Sequence, residues 1–243
     1  AAIGIPAYAA FMVLTAPATF IASRASRATD GRVHFDETQG TLWSGSLRAQ
    51  GQAPGGVVLD RIAWRLVPAA LAEGRIAFDV EVDSREARGN VRILRGWSEW
   101  EARSGAVRVD ARALPAFFPL ATAWRPEGSV SIVSDGVRWN EREIHGPFTL
   151  EWRDAAVALS DVKPLGTYRL VAQGAGENAK LVLSTIAGAL RVSGQGDWKV
   201  TRPITFSGEA RAEPGSAAAL EPLLNIMGPK RPDGARSIEV RIR

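Results

Sequence analysis

The sequence contains no cysteine and only two histidines, His34 and His145. The absence of cysteine excludes disulfide stapling, thiolate catalysis, and zinc or iron–sulfur sites built on cysteine. His34 and His145 lack the spacing of helical metal-binding motifs, and each lies near carboxylates in a segment with strand-like alternation. We therefore expect both to be surface histidines beside strands. Neither Ser44 nor Ser46 stands in a G-x-S-x-G elbow. The sequence predicts no catalytic, cofactor-binding or metal-binding residue, and it does not predict an enzyme.

The chain also lacks a concentrated charge of either sign. Its 243 residues include 30 lysines and arginines against 26 acidic residues, and the two signs alternate along the chain. The densest basic stretch is Lys230-Arg231, which is flanked by prolines. Because nucleic-acid-binding proteins usually carry a clustered basic stripe with interleaved aromatic residues, we do not expect a nucleic-acid partner.

One glycine-rich segment raises the question of a nucleotide site. Residues 174–179 match G-x-G-x-x-A, and Asp197 follows at the distance of a ribose-binding acid. Such a site needs a helix that opens at the glycines, but residues 181–185 have the composition of a strand. The segment therefore predicts a glycine-rich hairpin turn.

The first 23 residues contain no charged side chain. A membrane-spanning helix needs roughly 20 predominantly apolar residues, so this segment is interpreted as a retained single-span anchor. A cleaved signal peptide and a buried helix of the folded domain are the alternatives. Residues 24–30 form a polar connector in this interpretation, and residues 31–243 form one β domain.

Period-two alternation dominates the rest of the chain. In residues 75–83 the apolar Ile76, Phe78, Val80 and Val82 share one face and the acidic residues at 79, 81 and 83 the other, which is typical of a strand with one buried face. Similar alternation recurs at residues 107–109, 130–132, 137–139, 148–152, 190–192, 204–206 and 238–242. Turn residues such as Gly89-Asn90 and Asp135-Gly136 are expected to separate antiparallel hairpins. The predicted fold is mainly β, a long antiparallel sheet that curls into an open roll.

A few short helices are expected to interrupt the sheet. Residues 67–74 have proline near the start and glycine at the end, which is the usual asymmetry of helix termini. Residues 113–120 predict an apolar turn or a one-turn helix. Residues 217–227 carry an apolar stripe, with Gly228 as the expected C-cap. We expect this last helix to cover the end of the sheet, and a partner-binding helix is the alternative.

The order of several short motifs resembles a known family. The apolar segment is followed by residues 40–45 (GTLWSG), then by residues 59–75, 164–170 and 188–194, and finally by residues 220–228 and Asp233-Gly234. This arrangement resembles protein N of the type II secretion system of Gram-negative bacteria, over nearly the whole chain. The resemblance implies an accessory protein that is anchored in the inner membrane by one span, has its main domain in the periplasm, and contacts other secretion components. It supplies no catalytic residues.

The motif residues are interpreted as defining the fold, and no partner-binding residue is assigned. They are Gly40, Thr41, Trp43, Gly45, Trp64, Pro68 and Gly74. Trp43 and Trp64 are expected to anchor the core, so replacing Trp43 by alanine should cost roughly 3–5 kcal/mol. The segment from Trp64 to Gly74 also resembles, more distantly, the AsmA-like envelope proteins. That likeness implies a lipid-binding or lipid-transfer module as the alternative function.

Overall fold

The computed structural model describes residues 15–28, 31, 33–51, 57–117, 119–199 and 202–242. Fourteen strands form one antiparallel sheet, and its order follows the chain from β1 to β14, with β8 paired to β6 and β9. The strands are β1 (Val33–Gly40), β2 (Ser44–Gly51), β3 (Val58–Leu66), β4 (Ile76–Asp83), β5 (Ala87–Arg95), β6 (Trp100–Asp110), β7 (Glu127–Ser134), β8 (Val137–Trp139), β9 (Ile144–Ala156), β10 (Gly166–Gly176), β11 (Asn178–Gly188), β12 (Leu190–Lys199), β13 (Ile204–Ala212) and β14 (Arg236–Ile242).

Short helices lie between the strands. The α-helices are α1 (Thr19–Ala28), α2 (Leu114–Phe117) and α3 (Ala217–Met227), and the 3-10 helices are Pro68–Glu73, Ala111–Ala113, Pro119–Ala123 and Pro214–Ser216. The mainly β, antiparallel class predicted from alternation is confirmed. Among the described residues no helix is both long and apolar enough to cross a bilayer. The predicted transmembrane helix is therefore not part of the described structure, and residues 1–14 of that segment lie outside the described ranges.

The end of the apolar N-terminal segment belongs to the folded domain. Helix α1 passes through the expected boundary at residues 23 and 24, and Ala18, Ile21 and Ala22 pack against strands β1 to β4. For these residues the structure follows the alternative of a helix packed into the domain. The physical reason is that Ile21 and Ala22 complete an apolar cluster with Trp64 beneath them.

The sheet has one apolar and one polar face. The cross-strand register places Val82, Gly89, Val107, Ile132, Leu150, Leu170, Leu183, Gly194, Gly208 and Ile238 in one continuous row. Their neighbours in each strand point to the opposite face, which carries ion pairs such as Asp79–Arg92 at 2.6 Å and Glu151–Arg169 at 3.0 Å. Alternation along the sequence thus becomes one continuous face, and this row crosses ten strands of the sheet.

Two helices cover the ends of this apolar face. At the N-terminal end α1 lies over β1 to β4, where Leu47 and Trp64 are buried. At the other end Leu220, Leu223 and Leu224 of α3 pack on Leu190, Ala210 and Ile238. The helix predicted over residues 217–227, and its place over the end of the sheet, are both confirmed. Gly228 is the C-cap, but its φ is extended, and glycine is required because a Cβ there would lie 1.8 Å from the Ser237 carbonyl oxygen.

The expected turns require two corrections. Gly89 and Asn90 lie inside β5, so the turn expected there is wrong. Glycine occurs at this position because a Cβ on Gly89 would lie 2.2 Å from the carbonyl oxygen of Ala106 in the next strand. Asp135 and Gly136 separate β7 from β8 without reversing the direction of the chain, because β7 and β8 are both antiparallel to β6 and β9. They therefore do not close a hairpin. The hairpin predicted near Gly174 and Gly176 is confirmed as β10–β11.

The strand ends define two sides of the sheet, which we call the upper and lower rims. The upper rim holds the connections that follow β1, β3, β5, β8, β10 and β12, and the lower rim holds those that follow β2, β4, β6, β9, β11 and β13. The motif residues predicted from the sequence gather on two neighbouring connections of the upper rim.

Candidate functional site at the glycine–tryptophan turn

The turn between β1 and β2 is built by Gly40, Thr41 and Ser44. Gly40 has a φ of 89°, a left-handed conformation that favours glycine. The Thr41 amide donates to the Ser44 carbonyl at 2.9 Å, and the Thr41 hydroxyl oxygen accepts from the amides of Trp43 at 3.3 Å and Ser44 at 3.2 Å. Threonine at the second position therefore satisfies the amides inside the turn, as short hydroxyl side chains commonly do.

Trp64 of β3 clamps this turn from the apolar face. Its indole nitrogen donates to the carbonyls of Thr41 at 3.3 Å and Leu42 at 3.1 Å, and its side chain is part of the buried cluster under α1. A Cβ on Gly45 would lie 2.7 Å from Cζ2 of Trp64 and 2.4 Å from the Gln39 carbonyl oxygen. Only glycine leaves room for the indole ring at this position. The close contact with Trp64 thus explains the glycine at position 45, and the left-handed φ of Gly40 explains the glycine at position 40.

The same turn holds the incoming N-terminal chain. The Leu42 amide donates to the Ala16 carbonyl at 2.8 Å, and the Ala18 amide donates to the Gly40 carbonyl at 3.2 Å. The Leu66 amide donates to the Trp43 carbonyl at 2.6 Å. The turn therefore joins the N-terminal chain to β1, β2 and β3 at the upper rim.

Trp43 is less buried than the sequence predicted. Its side chain is only partly buried and does not belong to a buried core cluster of the described residues, whereas Trp64 is 7% exposed. The reason is positional, because Trp43 lies in the turn itself and Trp64 lies inside a strand covered by α1. Of the two tryptophans expected to anchor the core, the structure places only Trp64 there.

Pro68 and Gly74 frame the next connection along the upper rim. Pro68 begins the 3-10 helix Pro68–Glu73, and Gly74 ends it with a φ of 70° in the left-handed region. The predicted proline–glycine helix is confirmed as a 3-10 helix. It packs on the polar face, where Ala70 covers Ala77 and Leu94. Pro68 and Gly74 therefore do not meet the Gly40–Trp64 group on the apolar face.

Beside this 3-10 helix lies a buried carboxylate that the sequence did not reveal. Glu101 is 6% exposed and accepts hydrogen bonds from Arg75 at 2.7 Å and Arg103 at 2.8 Å. Arg75 also pairs with Glu99 at 3.3 Å. Burial opposes ionisation of Glu101, but the hydrogen bonds from Arg103 and Arg75 outweigh it and lower the pKa below its ordinary value. In the sequence Glu101 has the polar phase of a strand, so no local signal separates it from a solvated residue.

The two histidines stand at the surface of strands, as predicted. His34 Nε2 lies 3.0 Å from Asp36, and His145 Nε2 lies 3.5 Å from Glu143. In the described parts of the chain, no three histidine, cysteine or acidic side chains gather in a way that could hold a metal ion.

The family model described as type II secretion system (T2SS), protein N, matches residues 31–239. The chain belongs to this family. The family resemblance predicted from the motif order is therefore confirmed. No curated protein and no solved structure matches the chain.

The residues matched by the protein N family model include the described sheet from β1 to Glu239 in β14. They also include the glycine–tryptophan turn, the 3-10 helix after Pro68, and the covering helix α3. Protein N is an accessory component of the secretion system and is not known as an enzyme.

Proposed function

We propose that this protein is an accessory inner-membrane component of the type II secretion system and acts through protein–protein contacts. The family match across residues 31–239 carries the proposal. We place the anchor on the side of the upper rim, because the uncharged residues 1–14 are followed by Ala16 and Ala18 there. These 14 residues alone are fewer than the roughly 20 that a span requires. The main domain then lies in the periplasm, where it takes part in the export of folded proteins.

The sheet offers two edges to protein partners. The strand order runs from β1 to β14 without pairing between these two strands. The outer side of β14 is joined to residues 229–230 at its first two positions, and beyond these no strand of the described structure pairs with it. On β14, Glu239, Val240 and Arg241 are exposed. Free strand edges pair readily with an added strand, so β14 is the surface at which we expect a secretion component to bind.

Cross-linking in cells tests this proposal. A photo-activated amino acid replaces Arg241 at the β14 edge, and a matched variant carries it at Arg169, an exposed position in the central strand β10. We expect cross-links from position 241 to a type II secretion component and none from position 169. If no secretion component co-isolates with either variant or with the tagged wild type, the proposed function is wrong.

The apolar face of the sheet favours a second candidate, an envelope lipid-binding module. Its central strands carry large apolar side chains that are only partly buried, among them Ile132, Leu150 and Leu170. We propose that the sheet curls with this face inward. The cluster formed by Val57 and Ala113 with Leu59 and Val109 supports the curl. Leu59 belongs to β3 and Val109 to β6. In a flat sheet with ~4.8 Å between strands, these two strands would be about 14 Å apart, so the packing of both residues against one cluster indicates a curved sheet.

Native mass spectrometry of the chain extracted from membranes distinguishes this candidate. A lipid module should retain phospholipid, and replacing Ile132 with aspartate on the open part of the apolar face should abolish retention. Val133→Asp is the matched control, because Val133 is 50% exposed on the opposite face of the same strand. Absence of bound lipid in the wild-type chain rejects the lipid module and leaves the secretion proposal unaffected.

A further inference from the structure

The upper rim carries a group of tryptophans that the fold does not bury. Trp97 stands at the tip of the β5–β6 hairpin and is 95% exposed. Trp100 begins β6, is 41% exposed, and pairs directly with Trp139 of β8. The Arg95 guanidinium lies over the Trp100 ring, 4.9 Å from its centroid. The Trp97 ring lies almost wholly in water, where it contributes little to stability, and part of the Trp100 ring is exposed beside it, so these side chains point to a contact outside the domain.

Residues 16–18 lie at this same rim. Ala16 and Ala18 are hydrogen-bonded to Leu42 and Gly40 in the β1–β2 turn, and Pro17 forms a bridge with Thr41. Four strand spacings separate this turn from the β5–β6 hairpin, a distance of about 19 Å along the rim at ~4.8 Å per strand. Residues 1–14, which precede the turn, contain no charge. The uncharged segment therefore joins the domain at the rim that carries the exposed tryptophans.

We propose that the upper rim rests on the surface of a phospholipid bilayer, with Trp97 and Trp100 in the headgroup layer. This inference rests on the membrane placement proposed above. Tryptophan favours that layer because its ring is apolar and its N–H finds partners among headgroups and water. Leu71, 51% exposed on the β3–β4 connection of the same rim, adds apolar area.

The charges of the rim indicate which bilayer it fits. Basic and acidic residues alternate there: Arg95, Glu141 and Arg142 line one pocket, and Glu99 pairs with Arg75 at 3.3 Å. A rim with balanced charge gains little from anionic lipid, whereas a basic rim would gain on the order of 1 kcal/mol per basic residue. The contact therefore depends on aromatic area and should occur on zwitterionic phosphatidylcholine as well as on anionic membranes.

A protein hot spot is the competing occupant, because tryptophan and arginine are also enriched at protein interfaces. The position of residues 15–18 at the same rim favours the bilayer. The lower rim offers a matched comparison, since Trp124 is 54% exposed there, beyond the end of the 3-10 helix Pro119–Ala123.

The absence of cysteine makes a direct test simple, because any introduced cysteine is unique. The full chain is reconstituted into phosphatidylcholine vesicles with a nitroxide label at Ser98→Cys on the upper rim. The control carries the label at Arg85→Cys on the lower rim, and both positions are exposed. We expect the label at 98 to collide preferentially with oxygen, which partitions into lipid, and the label at 85 with a water-soluble nickel complex.

A second readout uses the tryptophans themselves. Brominated lipids should quench part of the fluorescence, and Trp97→Ser should reduce the quenched fraction while Trp124→Ser leaves it unchanged. Vesicle-bound chain whose label at 98 is as accessible to nickel as the label at 85 overturns the rim contact alone. Chain that does not float with vesicles overturns the membrane anchor as well, so the two failures are distinguishable.

Discussion

The two ends of the apolar face differ from its centre. Under α3, Leu220 is completely buried, and under α1, Trp64 is 7% exposed. In the centre, Ile132 of β7 points to the same face yet is 40% exposed. The alternation of apolar and polar residues is similar in all three regions. Burial is therefore set by which strands lie beneath a helix, and the strand pattern alone does not determine it.

The largest effect is expected for Trp64→Ala in the region covered by α1. Loss of the ring empties part of the buried cluster and removes the indole hydrogen bonds to Thr41 and Leu42, so the free energy of unfolding should fall by about 3–5 kcal/mol. Trp43→Ala is the matched change in the same turn. Because Trp43 is only partly buried, its loss should cost about 1–2 kcal/mol. Urea unfolding of the detergent-solubilised chain measures both, and equal costs would contradict the distinction.

The covered and uncovered regions are compared directly by Leu220→Ala and Ile132→Ala. Leu220 is enclosed by the α3 cluster, so truncation should leave a cavity and cost about 3 kcal/mol. Ile132 already meets solvent on the open part of the face, and its truncation should cost about 1 kcal/mol or less. A large cost at Ile132 in the same unfolding assay would mean that something covers the centre of the face.

The smallest losses of stability are expected from changes in two ion pairs on the polar face, one buried and one exposed. Glu101→Gln weakens the charged hydrogen bonds to Arg75 and Arg103, so we expect a loss of about 2 kcal/mol at pH 7. Asp79→Asn in the exposed pair with Arg92 should cost less than about 1 kcal/mol.

The pH dependence provides a further check on Glu101. Its pKa is lowered in the folded state, so the stabilisation is complete above the ordinary value near 4.5 and is lost as the pH falls through the folded-state value. As the pH is lowered from 5, the free energy of unfolding of Glu101→Gln should therefore fall less than that of the wild type. Parallel pH profiles for the variant and the wild type would reject this account of Glu101.

The sequence predicts the features that depend on local periodicity. Alternation identifies the strands, and the proline–glycine pair around residues 68–74 identifies a helix that the structure refines to 3-10. The contact of Gly45 with Trp64 spans nineteen positions, and its geometry becomes visible only when β2 and β3 pair. The same applies to Glu101, whose partner Arg75 is 26 residues away. Local patterns cannot show which strand residues a distant helix or arginine will bury.

Gly89 shows how an apparent turn signal can mislead. Glycine followed by asparagine is typical of a hairpin turn, but here the glycine admits the neighbouring strand at close range. Trp43 shows the same limitation for burial, since a large apolar residue in a turn remains partly exposed unless another element covers it.

The order of the strands has a consequence for how the protein folds. Nearly every strand pairs with its neighbours in sequence, so each new hairpin can add to the sheet already formed without waiting for a distant partner. Low sequence separation between pairing segments favours rapid folding. The longest delay is expected at α3 and β14, which follow β13 through the connection of residues 213–235 and complete the last cluster. A chain that emerges N-terminus first can therefore assemble progressively, and each strand is the edge to which the next one pairs until β14 becomes the final edge.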